Sequence, residues 1–161
     1  MNRGKILYSL FFIHYSTMRY YFKHIDRFLI DHMGKWGITY LRIALAIVFL
    51  WFGALKIAGI SPVGELLEKT WSFIPTHIFL IILGIVEVLI GLGLAAKKFL
   101  RTTLLLLWVQ MAGTLVTPFL SPGMFFSHGN FLLLTLEGEF VVKNFVLVAA
   151  GIVIGGYEVE T

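Results

Sequence analysis

Apolar residues run through most of this chain in long unbroken blocks, with the polar residues gathered in the links between them. Four blocks reach the ~20 residues that a helix needs to cross the hydrocarbon core of a bilayer. They lie at about 38–58 (ITYLRIALAIVFLWFGALKIA), 77–96 (HIFLIILGIVEVLIGLGLAA), 100–120 (LRTTLLLLWVQMAGTLVTPFL) and 139–157. None of them alternates apolar and polar, as the strands of a membrane barrel do. The pattern predicts an all-α membrane protein, a four-transmembrane-helix bundle. The N-terminal region reads differently. Tyr15, Met18, Phe22, Ile25 and Leu29 recur at spacings of three and four, with Ser16, Arg19, Lys23, Asp26 and Arg27 on the other side. That spacing makes an amphipathic helix. Its aromatic apolar face and basic polar face predict that it lies in the membrane interface. The expected organisation is thus an interfacial segment, 1–37, followed by a transmembrane domain, 38–161.

The links set an expected orientation. Arg3, Lys5, Arg19, Lys23, Arg27 and Lys35 precede the first block, and Lys97, Lys98 and Arg101 join the second to the third. The link between the first two blocks has only Lys69, offset by Glu65 and Glu68, and the link between the last two has no Lys or Arg. The positive-inside rule then places both termini in the cytoplasm. In the first outer link, SPVGELLEKTW begins with an N-cap serine, Ser61, and Pro62 at the first helical position, which predicts a short surface helix. The second, SPGMFFSHGN, is a Gly/Pro-punctuated loop. Its Met124, Phe125 and Phe126 predict that it dips toward the membrane or packs on a neighbour.

Composition agrees. The 161 residues are 58% hydrophobic and 14% charged, against roughly 25% charged in an average soluble domain. Mean hydropathy is +0.88. A soluble protein of this size could not bury so much apolar side chain, whereas lipid is a solvent for it. The absence of cysteine removes disulfides, thiolate zinc sites and iron–sulfur clusters. None of the five histidines is mid-span, His77 lying at a span mouth, so no bis-histidine haem is expected, and no metal site. The basic N-terminal face suits anionic lipid and not nucleic acid.

Ionisable residues inside spans are costly and mark either structure or function. Arg42 and Lys56 are two heptads apart on one face of the first span, with Phe49 between them. Each alone could be snorkelling to its own interface. Glu87 cannot do so, because it lies near the middle of the second span, roughly 15 Å from water at ~1.5 Å per residue. Gly84 and Gly91 flank it and offer a smooth face for close packing. By depth, Arg42 is the expected partner of Glu87, with Lys56 well above it and Gln110 of the third span level with it. Arg42, Glu87 and Gln110 form the expected buried polar network, either a clamp between helices or a proton or quinone site. Near the outer mouth, Lys143 follows Glu139 at i+4, the favourable order for an ion pair. Lys56, Glu137, Glu139, Lys143 and Asn144 form an expected outer polar cluster. It is either an ion-paired helix start or a site for a polar headgroup or partner.

The stretches LRIALAIVFLWFGALKI, GIVEVLIGLGLAA and LTLEGEFVVKNFVLVAAGIVIG resemble the DoxX family of small prokaryotic membrane proteins, over about residues 38–156. They are also similar to the related reactive-chlorine resistance membrane proteins. The resemblance implies a four-helix membrane bundle. Its charged positions fall on Arg42, Lys56, Glu87, Lys143 and Asn144. The family takes its name from a small subunit of a thiosulfate:quinone oxidoreductase. The resemblance therefore implies a multi-pass protein of the inner membrane, acting as an accessory or quinone-interacting subunit of a membrane redox complex. Quinone and lipid are the expected ligands, beside a larger membrane partner or further copies of the chain. Two other functions stay open: an oligomeric transporter or channel for a small solute or protons, and a structural scaffold.

Overall fold

The computed structural model describes residues 3–61 and 76–159, with side chains described for 23–61 and 77–159. Among the described residues there are four long helices: α1 (Arg3–Ile57), α2 (Thr76–Ala96), α3 (Leu100–Leu120) and α4 (Leu136–Glu158). A single helical turn, Pro122–Phe125, and a 3-10 turn, Ser127–Gly129, join α3 to α4. All four long helices are long and apolar enough to cross a membrane. The chain forms two compact units, 1–38 and 39–161.

In the first unit the backbone is helical from Arg3. The side chains of Tyr15, Met18 and Phe22 lie outside the described residues. From Lys23 to Trp36 apolar and polar side chains are alike exposed, Ile25 and Leu29 as well as Lys23, Asp26 and Arg27. The short helix expected from Pro62 to Trp71 also lies outside the described residues.

The second unit is inside-out by the standards of a soluble protein. Val109, Phe145 and Val146 are 60% or more exposed, whereas Arg42, Lys56 and Glu87 are each under 10%. Lipid explains both facts, since it solvates the apolar exterior and forces charge inward. The buried core draws Leu45, Ala46 and Phe49 from α1, Ile90 and Leu94 from α2, Leu104, Leu107 and Met111 from α3, and Ala150 and Ile154 from α4.

In lipid, helices associate chiefly through close packing and polar contacts, so small residues hold the interfaces. Gly53 of α1 faces Gly84 of α2 so closely that a Cβ on Gly53 would sit 2.7 Å from the Gly84 carbonyl oxygen. One on Gly91 would meet Leu50 and Ala46. The pairing of 53 with 84 and of 46 and 50 with 91 makes α1 and α2 antiparallel. Gly151 and Gly155 of α4 give the same close approach to Leu104, Leu107 and Trp108 of α3.

Pro118 sits inside α3 and removes the N–H that would bond the Thr114 carbonyl. The Thr117 hydroxyl donates to that carbonyl instead, at 2.7 Å. This repair lets a proline stay in a helix surrounded by lipid. α4 begins at Leu136, earlier than the hydrophobic block suggests, because the Thr135 hydroxyl caps it by accepting from the Gly138 N–H at 3.2 Å.

Candidate functional site

Three helices meet at Glu87. Lys56 of α1 lies 2.6 Å from both carboxylate oxygens, so its ammonium group sits squarely across the carboxylate. Gln110 of α3 donates from Nε2 to Oε1 at 2.7 Å. Lys56 and Glu87 side chains are 9% and 8% exposed. The Gln110 carbonyl oxygen Oε1 is buried and accepts no hydrogen bond among the described residues. A charge pair this short and this dry is strongly coupled, since each partner lowers the cost of burying the other.

Backbone direction explains the pairing. In a helix the Cα–Cβ bond tilts toward the N-terminus. Lys56 sits about a turn beyond the level of Glu87 along α1, so its side chain runs back toward that level. Glu87 lies on an antiparallel helix, so its side chain tilts the opposite way, toward Lys56. The two converge. Gly53 and Gly84, lying between them, bring the backbones close enough for a lysine to span the gap.

Arg42 is therefore not the partner of Glu87. The same tilt carries its side chain the other way, to the C-terminal end of α2. There Nη1 donates to the carbonyls of Leu94 and Ala95, at 2.5 and 3.2 Å. These are among the last four carbonyls of α2, which have no partner within their own helix. Arg42 Nε lies 2.7 Å from Glu158 Oε2 at the end of α4. That approach falls off the N–H direction and makes a charge contact, not an aligned hydrogen bond. Lys97 Nζ stands 3.8 Å from the other Glu158 oxygen. Depth alone paired Arg42 with Glu87, and it passed over Glu158. The signal for Glu158 was its place at the basic end of the bundle, the end at which Arg42 lies.

The expected outer cluster also separates. Lys56 belongs to Glu87 and not to Glu137 or Glu139. Lys143 stands 3.9 Å from Glu139, one turn away, and both are more than half exposed. It also lies 5.5 Å from the ring centre of Phe140. Glu137 is exposed and Asn144 half-buried. These four residues line the first two turns of α4 without enclosing a site. His77 and His128 are exposed, and no group of three metal-binding side chains occurs among the described residues.

Against known proteins, a family model described as DoxX matches residues 37–119. This chain belongs to the DoxX family. The DoxX match takes in Arg42, Lys56, Glu87 and Gln110, so the whole cluster around Glu87 lies within the family region. It stops before α4, leaving Glu158, Lys143 and Asn144 outside. No curated protein and no solved structure matches the chain.

Chemically, the Glu87 site offers an acceptor and donors at one point. Glu87 can take or give a proton. Lys56 has three N–H groups, of which the carboxylate occupies two, and Gln110 Oε1 is an idle acceptor. Leaving such an oxygen buried and unpaired costs about 1–3 kcal/mol.

Proposed function

We propose that this DoxX protein is a small accessory subunit of a quinone-linked membrane redox complex, with the Lys56–Glu87–Gln110 cluster as the point where a quinone-type headgroup exchanges hydrogen bonds or a proton. The observation that carries this reading is the idle Gln110 Oε1 beside a paired but ionisable carboxylate. A quinol hydroxyl is a donor suited to that oxygen. A quinone carbonyl is an acceptor suited to the remaining Lys56 N–H. Glu87 would receive or supply one of the two protons by which quinol and quinone differ, with the two electrons passing to or from the cofactor-bearing partner. The charge pattern of the links supports an inner-membrane setting with both termini cytoplasmic.

Gentle-detergent purification of the native complex tests it, with mass spectrometry, an optical spectrum and solvent extraction of quinone from the same peak. The expected result is a haem- or flavin-bearing partner in fixed ratio, with extractable quinone that falls in Glu87→Gln and Gln110→Leu. A colourless assembly of this chain alone, without quinone, would overturn the proposal.

A further inference from the structure

The connection between α3 and α4 is an ordered hairpin, and we infer that its tip, Phe131–Leu133, is inserted in the lipid bilayer as a second kind of membrane contact beside the four helices. The sequence supplies the first reason. Between Arg101 and Glu137 there is no Asp, Glu, Lys or Arg, so the whole connection, 121–135, is uncharged. A water-exposed link of that length would ordinarily carry charge.

The second reason is how the hairpin treats its backbone. The N–H groups of Ser127 and Thr135 donate to the carbonyls of Leu133 and Phe125, at 2.7 and 3.0 Å, pairing the two arms. Asn130 closes the tip, its side-chain oxygen accepting from the Leu132 N–H at 3.0 Å and its carbonyl from the Leu133 N–H at 3.0 Å. The Thr135 hydroxyl donates to the Met124 carbonyl at 2.6 Å. These bonds lower the cost of bringing non-helical backbone to the membrane interface, where headgroups and water can meet the polar groups that remain at the tip.

The third reason is the division of side chains. Phe125 is fully buried, while Phe131 and Leu132 are 72% and 75% exposed and Leu133 is more than half exposed. They continue an apolar surface formed by Phe119 and Leu120 at the end of α3 and by Leu136 and Phe140 at the start of α4. That surface belongs to the lipid-facing exterior of two spanning helices. The contact with lipid thus runs on from the helices to the tip, and it is Phe131–Leu133, not Phe125, that makes it.

The chain has no cysteine, so one introduced thiol carries a spin label without background. Leu132→Cys and Phe131→Cys in the full chain, reconstituted in phosphatidylcholine/phosphatidylglycerol vesicles, are compared by power saturation. Val109→Cys, an exposed mid-helix position of α3, gives the lipid reference, and Lys98→Cys in the α2–α3 turn gives the aqueous one. Insertion predicts that labels at 131 and 132 collide several-fold more with oxygen than with a water-soluble nickel chelate, as at 109. A chelate-dominated ratio, as at 98, would overturn insertion and place the tip in water. Protection from both reagents would also overturn it, marking contact with protein, whether a second copy or a partner.

Discussion

Arg42 and Lys56 stand fourteen residues apart on one face of α1, are equally buried, and do different work. Arg42 lies at the end of the bundle. It serves two carbonyls in the last turn of α2 and the Glu158 carboxylate, beside an open hollow lined in part by Lys97, Arg101 and Glu158. Lys56 points into the middle of the bundle and commits its charge to a single carboxylate there. A guanidinium suits the first task, with five donors in a fixed fork that can serve several acceptors. A lysine suits the second, as a compact charge on a flexible stem that still holds a donor in reserve. One cation fastens helix ends, while the other makes a buried carboxylate tolerable. Closure with spare hydrogen-bonding capacity is what makes the Glu87 region the site of the proposed function.

The largest predicted effect comes from breaking the central pair on one side. Glu87→Ala or Lys56→Ala leaves an unpaired buried charge and is expected to cost about 3–5 kcal/mol of stability. Removing both together as Lys56→Met/Glu87→Leu is expected to restore most of it. Thermal unfolding of the purified chain in detergent reads both. Restoration of fold without restoration of quinone content would separate the structural from the functional share.

Arg42→Ala comes next. It strips charge-assisted hydrogen bonds from the end of α2, an expected loss of about 2–3 kcal/mol. Arg42→Lys is expected to recover only part of it, since an ammonium cannot reproduce the fork. Quinone content is expected to be unchanged in either variant, which sharpens the contrast with Glu87.

Much of this was legible in the sequence. The four spans followed from block length, and the inward placement of Arg42 and Glu87 followed from the cost of polar groups in lipid. The pairing did not follow, because depth along a helix axis leaves out the tilt of the Cβ atoms. That tilt sends Lys56 to Glu87 and Arg42 away from it. Gly84 and Gly91 signalled a close contact, but their partners Gly53, Leu50 and Ala46 emerged only when α1 and α2 were set antiparallel. The order within the uncharged link was illegible for a different reason. Its Gly and Pro residues announce turns, yet which phenylalanine faces inward depends on the arm-to-arm hydrogen bonds, and these put Phe125 inside and Phe131 outside.

Two smaller effects bracket the comparison from below. Thr117→Val removes the hydroxyl that replaces the N–H missing at Pro118, an expected loss of about 0.5–1 kcal/mol. Detergent unfolding resolves it against wild type. Lys143→Ala breaks an exposed pair within one helix and is expected to change stability by less than about 0.5 kcal/mol. A larger change would mean that the start of α4 belongs to a site after all.

The measurement that tests the account most directly is a pair of double-mutant cycles on unfolding stability. One combines Lys56→Met with Glu87→Leu, the other Arg42→Met with Glu87→Leu. A coupling of at least ~2 kcal/mol is expected in the first and additivity within ~0.5 kcal/mol in the second. Coupling between Arg42 and Glu87, with Lys56 and Glu87 independent, would contradict it.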